Sequence, residues 1–401
     1  DVYVVNTCSV TARADATARK AIRRLHQEHP QAQIVATGCY AQRAPEELAE
    51  LPGVALVSGA ADRERIASTV QEIEPGSVRI EVSPIEQAVK FLDVPISEMM
   101  EHSRAFVKVQ EGCNESCSFC IVPQTRGASR SREPQSVLAQ VHALVAAGYV
   151  EIVLTGVHVG DYGLDLAAGR RMLSDLIVSI LDVSGVRRLR LSSIEPSTIT
   201  DEIVELVANE PRFARHFHIP FQSGSNAVLE RMRRRYTVEA FAERVCHIAD
   251  RVPDCAIGTD VICGFPGETE ADFQQTFDTL VALPVTHLHP FTYSVRPGSD
   301  AERFGDRIPG EVKKRRANAL KRMMRDKNLA FRRMHVGRTM PVLVESARRG
   351  SSTALAGWTD NYLRVALSDT HYEDAIEPVK IVGVTENGLL GERLLLADAV
   401  R

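Results

Sequence analysis

The sequence predicts an α/β protein of three units: an N-terminal small parallel α/β domain, a central partial (β/α) barrel and a C-terminal small β-barrel of OB-like size. Three observations predict it. Short β-branched runs alternate with helical stretches, first across residues 1–75 and again from 105, which is the pattern of parallel sheets with crossover helices. The glycine-rich and polar segments follow those strands, where ligands of parallel sheets and barrels bind. Beyond Gly337 the helical stretches give way to four short strands separated by turns, as in small nucleic-acid-binding barrels.

Taken in order, Val2-Tyr3-Val4-Val5 reads as a buried strand, and residues 11–29 as an Ala/Arg-rich helix. Ile34-Val35-Ala36 is the next strand, and Pro45 opens a helix with Glu46 and Glu47 in its first turn, where the dipole favours them. A third strand covers 54–57. Residues 76–104 read as a linker, punctuated by Gly76, Pro84 and Pro95 next to Pro75. Six strand candidates follow in the central unit, 105–334, beginning at Phe106, Glu151, Arg188, Phe217, Ala256 and Leu288. Residues 134–147 form an amphipathic helix with Val137, Leu138, Val141, Leu144 and Val145 on one face, closed by Gly148. Residues 309–334 form a long helix dense in Lys and Arg. Strands within 337–401 are expected at 340–345, 354–357, 363–367 and 379–384.

The 401 residues have ordinary apolar and charged fractions, and no apolar run is long enough to span a bilayer. No signal peptide opens the chain, so a cytoplasmic protein is expected. Eight cysteines in such a chain are not a disulfide scaffold; clustered ones in a reducing compartment point to metal. The net charge of −4 excludes global basicity as an argument for nucleic acid. Local runs carry that argument: the long helix, and the segment Arg231-Met232-Arg233-Arg234-Arg235-Tyr236. Arg231, Arg233, Arg234 and Arg235 are therefore candidate RNA contacts; the plain alternative is a solvated face.

Chemistry centres on Cys113, Cys117 and Cys120, spaced C-x₃-C-x₂-C. A four-iron cluster normally takes four thiolates, so three leave one iron open to a substrate or cofactor. Structural zinc prefers a closed set of four ligands, often two C-x₂-C pairs, and no second pair stands nearby. Three inert buried cysteines within eight residues are a poorer reading still. Cys8 and Cys39 both stand just after a strand, so they either share one site at the sheet's carboxyl edge or are unrelated core cysteines.

The cysteine run resembles that of the radical S-adenosylmethionine (SAM) enzymes, and the whole chain resembles their methylthiotransferase branch. The resemblance rests on Gln110-Glu111-Gly112-Cys113, Thr155-Gly156-Val157-His158, Arg190-Leu191-Ser192-Ser193-Ile194-Glu195-Pro196, Gln222-Ser223-Gly224-Ser225, the Arg231–Tyr236 run and Gly264-Phe265-Pro266-Gly267-Glu268-Thr269. It implies an N-terminal cluster domain, a radical SAM barrel and a C-terminal TRAM domain. Within the branch the similarity is to the enzymes that methylthiolate N6-threonylcarbamoyladenosine beside the tRNA anticodon. Those acting on isopentenyladenosine, or on a ribosomal-protein aspartate, differ after the second barrel strand, where His158 stands here. A non-catalytic iron–sulfur RNA-binding protein is the alternative of another class.

The resemblance further implies two 4Fe-4S clusters and SAM as cofactors. Cys113, Cys117 and Cys120 hold the SAM cluster. Cys8 and Cys39 match two of three ligands of an auxiliary cluster, whose first ligand falls in a Gly-Cys segment expected upstream of Asp1; either the chain is truncated at its N-terminus or the auxiliary site is incomplete, and truncation is the expectation, because a domain starting mid-sheet would leave an edge to cover. One SAM methylates sulfur on the auxiliary cluster; a second yields the radical that activates adenine C2, a C–H too weakly acidic for a side-chain base. Thr155, Gly156, Ser192, Glu195, Gly264 and Gly267 are SAM-pocket candidates, with turn geometry as the plain alternative. His158 either reaches substrate or is a packed histidine. Expected partners are the tRNA anticodon stem-loop, an electron donor and a sulfur donor, with neither membrane nor DNA.

Overall fold

A computed structural model describes residues 1–74, 76–96, 103–166, 172–345, 355–367 and 375–394. Pro75, and the first residue of the strand expected at 354–357, lie outside them.

The first unit is one four-stranded parallel sheet in sequence order: β1 (Val2–Thr7), β2 (Gln33–Gly38), β3 (Val54–Ser58) and β4 (Arg79–Glu81). Helices α1 (Ala12–Glu28), α2 (Cys39–Arg43), α3 (Pro45–Ala49) and α4 (Ile66–Glu72) connect it. Thr11 caps α1 by accepting from Ala14 N, which satisfies one of the helix's free amides. β4 departs from expectation, because it lies in the segment read as a linker. Arg-Ile-Glu has no apolar alternation to announce a strand, yet it pairs with Leu56 to Ser58 and completes the sheet edge.

Six parallel strands make the central unit: β5 (Arg104–Lys108), then after the short hairpin of β6 (Gln110–Glu111) and β7 (Arg130–Ser131), β8 (Glu151–Thr155), β9 (Arg188–Leu191), β10 (His216–His218), β11 (Ala256–Cys263) and β12 (His287–Thr292). They fall into two three-stranded sheets, β5-β8-β9 and β10-β11-β12. Bridges Leu189↔Phe213 and Ser193↔His218 join the sheets into one curved wall, the expected partial barrel. The intervening helices are α5 (Val122–Arg126), α6 (Pro134–Ala146), α7 (Leu173–Leu181), α8 (Asp201–Asn209), α9 (Asn226–Arg231), α10 (Val238–Arg251) and α11 (Glu270–Ala282), with α12 (Gly310–Arg333) behind β12. The core lies between wall and helices, where Val137, Val141 and Leu144 of α6 meet Ile152 and Leu154 of β8.

The last unit is a closed barrel of β13 (Thr339–Glu345), β14 (Ala356–Thr359), β15 (Arg364–Leu367), β16 (Ile376–Thr385) and β17 (Gly388–Arg393), in order 13-14-15-17-16. β17 was not foreseen: Gly-Leu-Leu-Gly-Glu-Arg carries two glycines, which weaken strand propensity. Closure supplies its partners on both sides.

Charge fastens this barrel to the amino ends of the central strands. Glu151, at the start of β8, is fully buried and accepts from Arg188 Nη1 at 3.1 Å and Arg190 Nε at 2.8 Å. The remaining donors cross the seam: Arg188 to the carbonyls of Trp358 (3.1 Å) and Pro341 (2.9 Å), and Arg190 to those of Asp360 (2.8 Å) and Thr359 (3.1 Å). Arg215–Asp360 and Arg338–Asp254 reinforce it. Burial opposes ionisation of Glu151, but the two guanidinium groups outweigh it and hold its carboxyl below the usual range. Its contribution is therefore present above the ordinary carboxylate pKa and is lost as pH falls through the depressed one. Glu151→Ala strands two buried cations and should destabilise the seam by about 3–5 kcal/mol. Urea unfolding followed at Trp358, the chain's single tryptophan, checks this; an unchanged midpoint would contradict it.

Candidate active site

All of the chemistry-bearing loops gather at the carboxyl ends of the barrel strands. The loop 112–120 runs from β6 to α5. Gly112 has φ +74°, and a Cβ there would stand 2.0 Å from the Ala128 carbonyl, so the turn into Cys113 requires glycine. Gln110 is fully buried and organises the turn. Its amide donates to the carbonyl of Gly112 and to Ser129 Oγ, both at 2.8 Å, and accepts from His158 N at 2.7 Å. Ser118 ties the far end down, donating from N to the Met232 carbonyl (3.1 Å) and from Oγ to that of Arg231 (2.8 Å).

Each thiol of the loop receives one N–H: Cys113 from Glu115 N and Cys120 from Val122 N, both at 3.4 Å, and Cys117 from Arg234 Nη1 at 3.2 Å. Burial pushes the Cys113 thiol up to about 12 and the Cys120 thiol to about 11, and raises Cys117 as well. Bare thiolates are therefore costly here, whereas bound iron would displace those protons and neutralise the charge. Among the described residues, the only three groups converging within the 4.8 Å suited to a single ion are His218, Asp260 and His289. A donor to each sulfur is also what a thiolate-ligated cluster uses to set its potential.

Cys8 and Cys39 occupy neighbouring strand ends, directly after the register pair Thr7↔Gly38. Cys8 is exposed and Cys39 buried. Arg126, the last residue of α5, donates from Nε to Cys39 Sγ at 3.0 Å and from Nη1 to Glu111 Oε1 at 2.7 Å. Cys39 lies close enough to Cys120 for their charges to interact. Arg296 completes the docking: its Nη1 donates to Asp15 Oδ2 at 2.8 Å and to the Ser9 carbonyl at 3.3 Å.

Next to Cys120 is a largely apolar cavity of about 240 Å³, bounded by Val10, Phe119, Gln222, Asp260, Ile262 and Tyr293 among others. None of the six SAM-pocket candidates borders it. Thr155 and Ser192 face a second cavity inside the barrel, with His218 and His289; the buried Ser192 Oγ has no partner among the described residues. Gly156 packs on Gln110, and Glu195 pairs with Arg234. Gly264 and Gly267 both have φ +75°; Gly264 N donates to Glu268 Oε2 at 2.6 Å, and Gly267 faces Arg231. One cavity residue has a readable signal: Asp260 is a carboxylate within an apolar strand. Gln222, four residues beyond β10, takes φ 62° and bridges to Val261. His218 Nε2 and His289 Nδ1 stand 3.1 and 3.2 Å from the Asp260 carboxylate. Burial opposes its ionisation, but these hydrogen bonds hold it down to about 2.

The arginine run divides. Arg234 is only 6 % exposed, and its guanidinium serves Cys117, Glu195 and Tyr236. It belongs to the cysteine site and corrects the expectation of a surface contact. Arg231 is half-buried, with Nε enclosed and unpartnered. Arg233 pairs with Asp300, and Arg235, 67 % exposed, with Glu115. His158 is buried with Nδ1 3.3 Å from Asp161 Oδ1, the packed reading of that residue.

The Radical SAM superfamily model matches residues 107–280, and the model described as Uncharacterized protein family UPF0004 matches residues 1–59. The threonylcarbamoyladenosine tRNA methylthiotransferase MtaB of Bacillus subtilis is 39 % identical over 393 residues, covering 97 % of this chain and 86 % of that protein. This chain belongs to the radical SAM methylthiotransferases. The tRNA-2-methylthio-N(6)-dimethylallyladenosine synthase of Desulfitobacterium hafniense is 33 % identical over 371 residues, 90 % of this chain and 82 % of that protein. Among solved structures, the radical SAM methyltransferase TsrM of Kitasatospora setae shares the fold at a TM-score of 0.55 and 19 % identity, over 73 % of this chain and 63 % of that one. As a methylthiotransferase the chain is a SAM-dependent transferase that works with 4Fe-4S clusters, and no helix among its described residues is long and apolar enough to cross a membrane.

Arg234→Leu removes both a donor and a positive charge from Cys117. The reduction potential of a cluster assembled on Cys113, Cys117 and Cys120 should become more negative. A redox titration followed by electron paramagnetic resonance, in a Cys8→Ala/Cys39→Ala background, measures it; an unshifted potential would contradict the assignment.

Proposed function

We propose that this methylthiotransferase acts on tRNA, placing a methylthio group on C2 of N6-threonylcarbamoyladenosine beside the anticodon. The observation that carries the substrate is the 39 % identity over 97 % of the chain with a protein named for it, against 33 % over 90 % for the dimethylallyladenosine enzyme. Cys113, Cys117 and Cys120 would hold the cluster that binds SAM, and Cys8 and Cys39 would contribute to the auxiliary one. When bound, the first cluster supplies the electron that cleaves SAM. The chain's own residues do the rest. Arg234 and two backbone amides hold the thiolates, Phe119 and Phe265 pack edge to face at 6.5 Å beside the cavity, and Arg126 places Cys39 beside that loop. The methylthio acceptor sits in a single-stranded loop, so its base can be splayed into the cavity.

A basic cleft supports RNA as the substrate. Between α12 and the C-terminal barrel lies a groove of about 490 Å³ lined by Lys321, Arg325, Arg332, Trp358, Tyr362 and Arg364. Trp358 and Tyr362 stack at 4.8 Å, and Arg104 lies over Trp358 at 5.3 Å. The long basic helix contributes selectively. Arg316 is buried against Glu268, and Lys327 and Arg332 hold backbone carbonyls, while Lys321 and Arg325 remain exposed.

Cells lacking this gene should lose 2-methylthio-N6-threonylcarbamoyladenosine from tRNA and regain it on complementation. Mass spectrometry of nucleosides decides the substrate, and loss of the methylthio-isopentenyl nucleoside in its place would overturn it. Lys321→Ala/Arg325→Ala should weaken tRNA binding and lower the slope of log affinity against log salt by about 2, roughly one per lost phosphate contact. Filter binding between low and moderate salt reads that slope.

A further inference from the structure

We propose that Arg63 anchors a carboxylate-binding subsite at the seam of the N-terminal domain and the barrel, and that its ligand is the carboxylate of the threonylcarbamoyl substituent. The choice of ligand rests on the substrate reading above; the subsite rests on the side chains.

Arg63 begins the short turn after β3. Its Nη1 stands 4.0 Å from Glu111 Oε2. Its Nε and Nη2 are buried and have no hydrogen-bond partner among the described residues. Those two nitrogens form one edge of the guanidinium, the fork that matches the two oxygens of a carboxylate. An edge left bare in the interior is costly, and among the described residues no group pairs with it, so the position suits an added anion.

The charge balance says the same. Glu111 already accepts from Lys108 and, at 2.7 Å, from Arg126. Arg130 stands in the same group, its Nη1 and Nη2 spent on the carbonyls of Ala128 and Arg126 and its Nε also buried without a partner. Among the described residues, Lys108, Arg126, Arg63 and Arg130 thus surround Glu111, with Asp165 a further anion near Arg130. Burial and the neighbouring Arg126 lower the pKa of Arg63, the cost that an added anion would relieve.

Space and position suit a nucleoside substituent. Arg63 lines a cavity of about 400 Å³ together with Phe91, Phe106, Lys108, Arg132 and Thr155, within the size range of small-ligand sites. Lys108 is engaged by Glu111, and Arg132 by Asp93 and Ser136, so among the described residues Arg63 is the lining cation with an open edge. Arg126 shares Glu111 with Arg63 and donates to Cys39 Sγ, so the open edge is one carboxylate away from the proposed sulfur-bearing site. A base presented there for attack at C2 carries its N6 substituent along the seam. An isopentenyl group would leave the fork unpaired, and sites with unpaired buried donors reject such analogues strongly.

The test uses the full chain with its clusters reconstituted, and three anticodon stem-loops carrying threonylcarbamoyladenosine, its methyl ester or unmodified adenosine. The parent protein should bind the free acid most tightly. Arg63→Gln should lose that preference by about tenfold to a hundredfold while binding the ester and the unmodified RNA as before. Arg63→Lys, a charge without the fork, should keep part of it. Retention of the preference in Arg63→Gln would overturn the subsite, as would an equal loss for all three RNAs. A parent protein with no preference for the free acid would overturn the substrate reading and this subsite with it.

Discussion

Arg126 sets the frame within which the two cysteine groups meet. Its guanidinium is shared between Cys39 Sγ at 3.0 Å and Glu111 Oε1 at 2.7 Å, and its helix begins two residues after Cys120. An arginine cannot discharge by losing its proton, so a buried one must keep both partners or move. The cysteine loop and the N-terminal sheet are therefore held to one separation by a single side chain. Arg296 and Asp15 repeat the device on the other flank of the same docking surface. The rest of the active end, from Gln110 beneath the loop to the cavity beside Cys120, is built around that spacing.

Much of this was legible in the residue order, and the reasons differ between elements. The Cys113, Cys117 and Cys120 spacing is local, so one loop delivers all three. Cys8 and Cys39 lie far apart in the chain, but each follows a strand, and parallel neighbours bring their carboxyl ends together. The role of Arg234 is hidden in the residue order because its partners Cys117 and Glu195 are 117 and 39 residues away. Glu151 looked like the first residue of an ordinary strand, and its two arginines only become visible once β8 and β9 pair. The strand at Arg79–Glu81 has no pattern of its own and exists because β3 offers it an edge.

The basic segments show why charge density alone is an ambiguous signal. Arg316, Lys327, Arg332 and Arg234 spend their positive charge inside the protein, on carboxylates, a thiol and the carbonyl ends of helices and turns. Neighbours at helical spacing, Lys321 and Arg325, face outward beside Trp358 and Tyr362. One stretch of sequence thus serves both as internal cross-linking and as an electrostatic surface, and only packing against the barrel divides the two roles.

The seam built on Glu151, Arg188 and Arg190 has a further consequence. It fixes the small barrel at the amino ends of β8 and β9, in the same parallel wall as β5, after whose carboxyl end the loop of Cys113, Cys117 and Cys120 follows. Five residues of strand span roughly 17 Å, so at least that height of rigid sheet separates the aromatic groove from the sulfur chemistry. On the proposed RNA reading the two ends would act as a caliper. An RNA filling both would reach along the side of the barrel, and its own helical geometry would decide which nucleotide arrives at the cavity. Selection by length in this way needs no reading of the intervening sequence, and an isolated nucleoside, touching only one jaw, would forgo it.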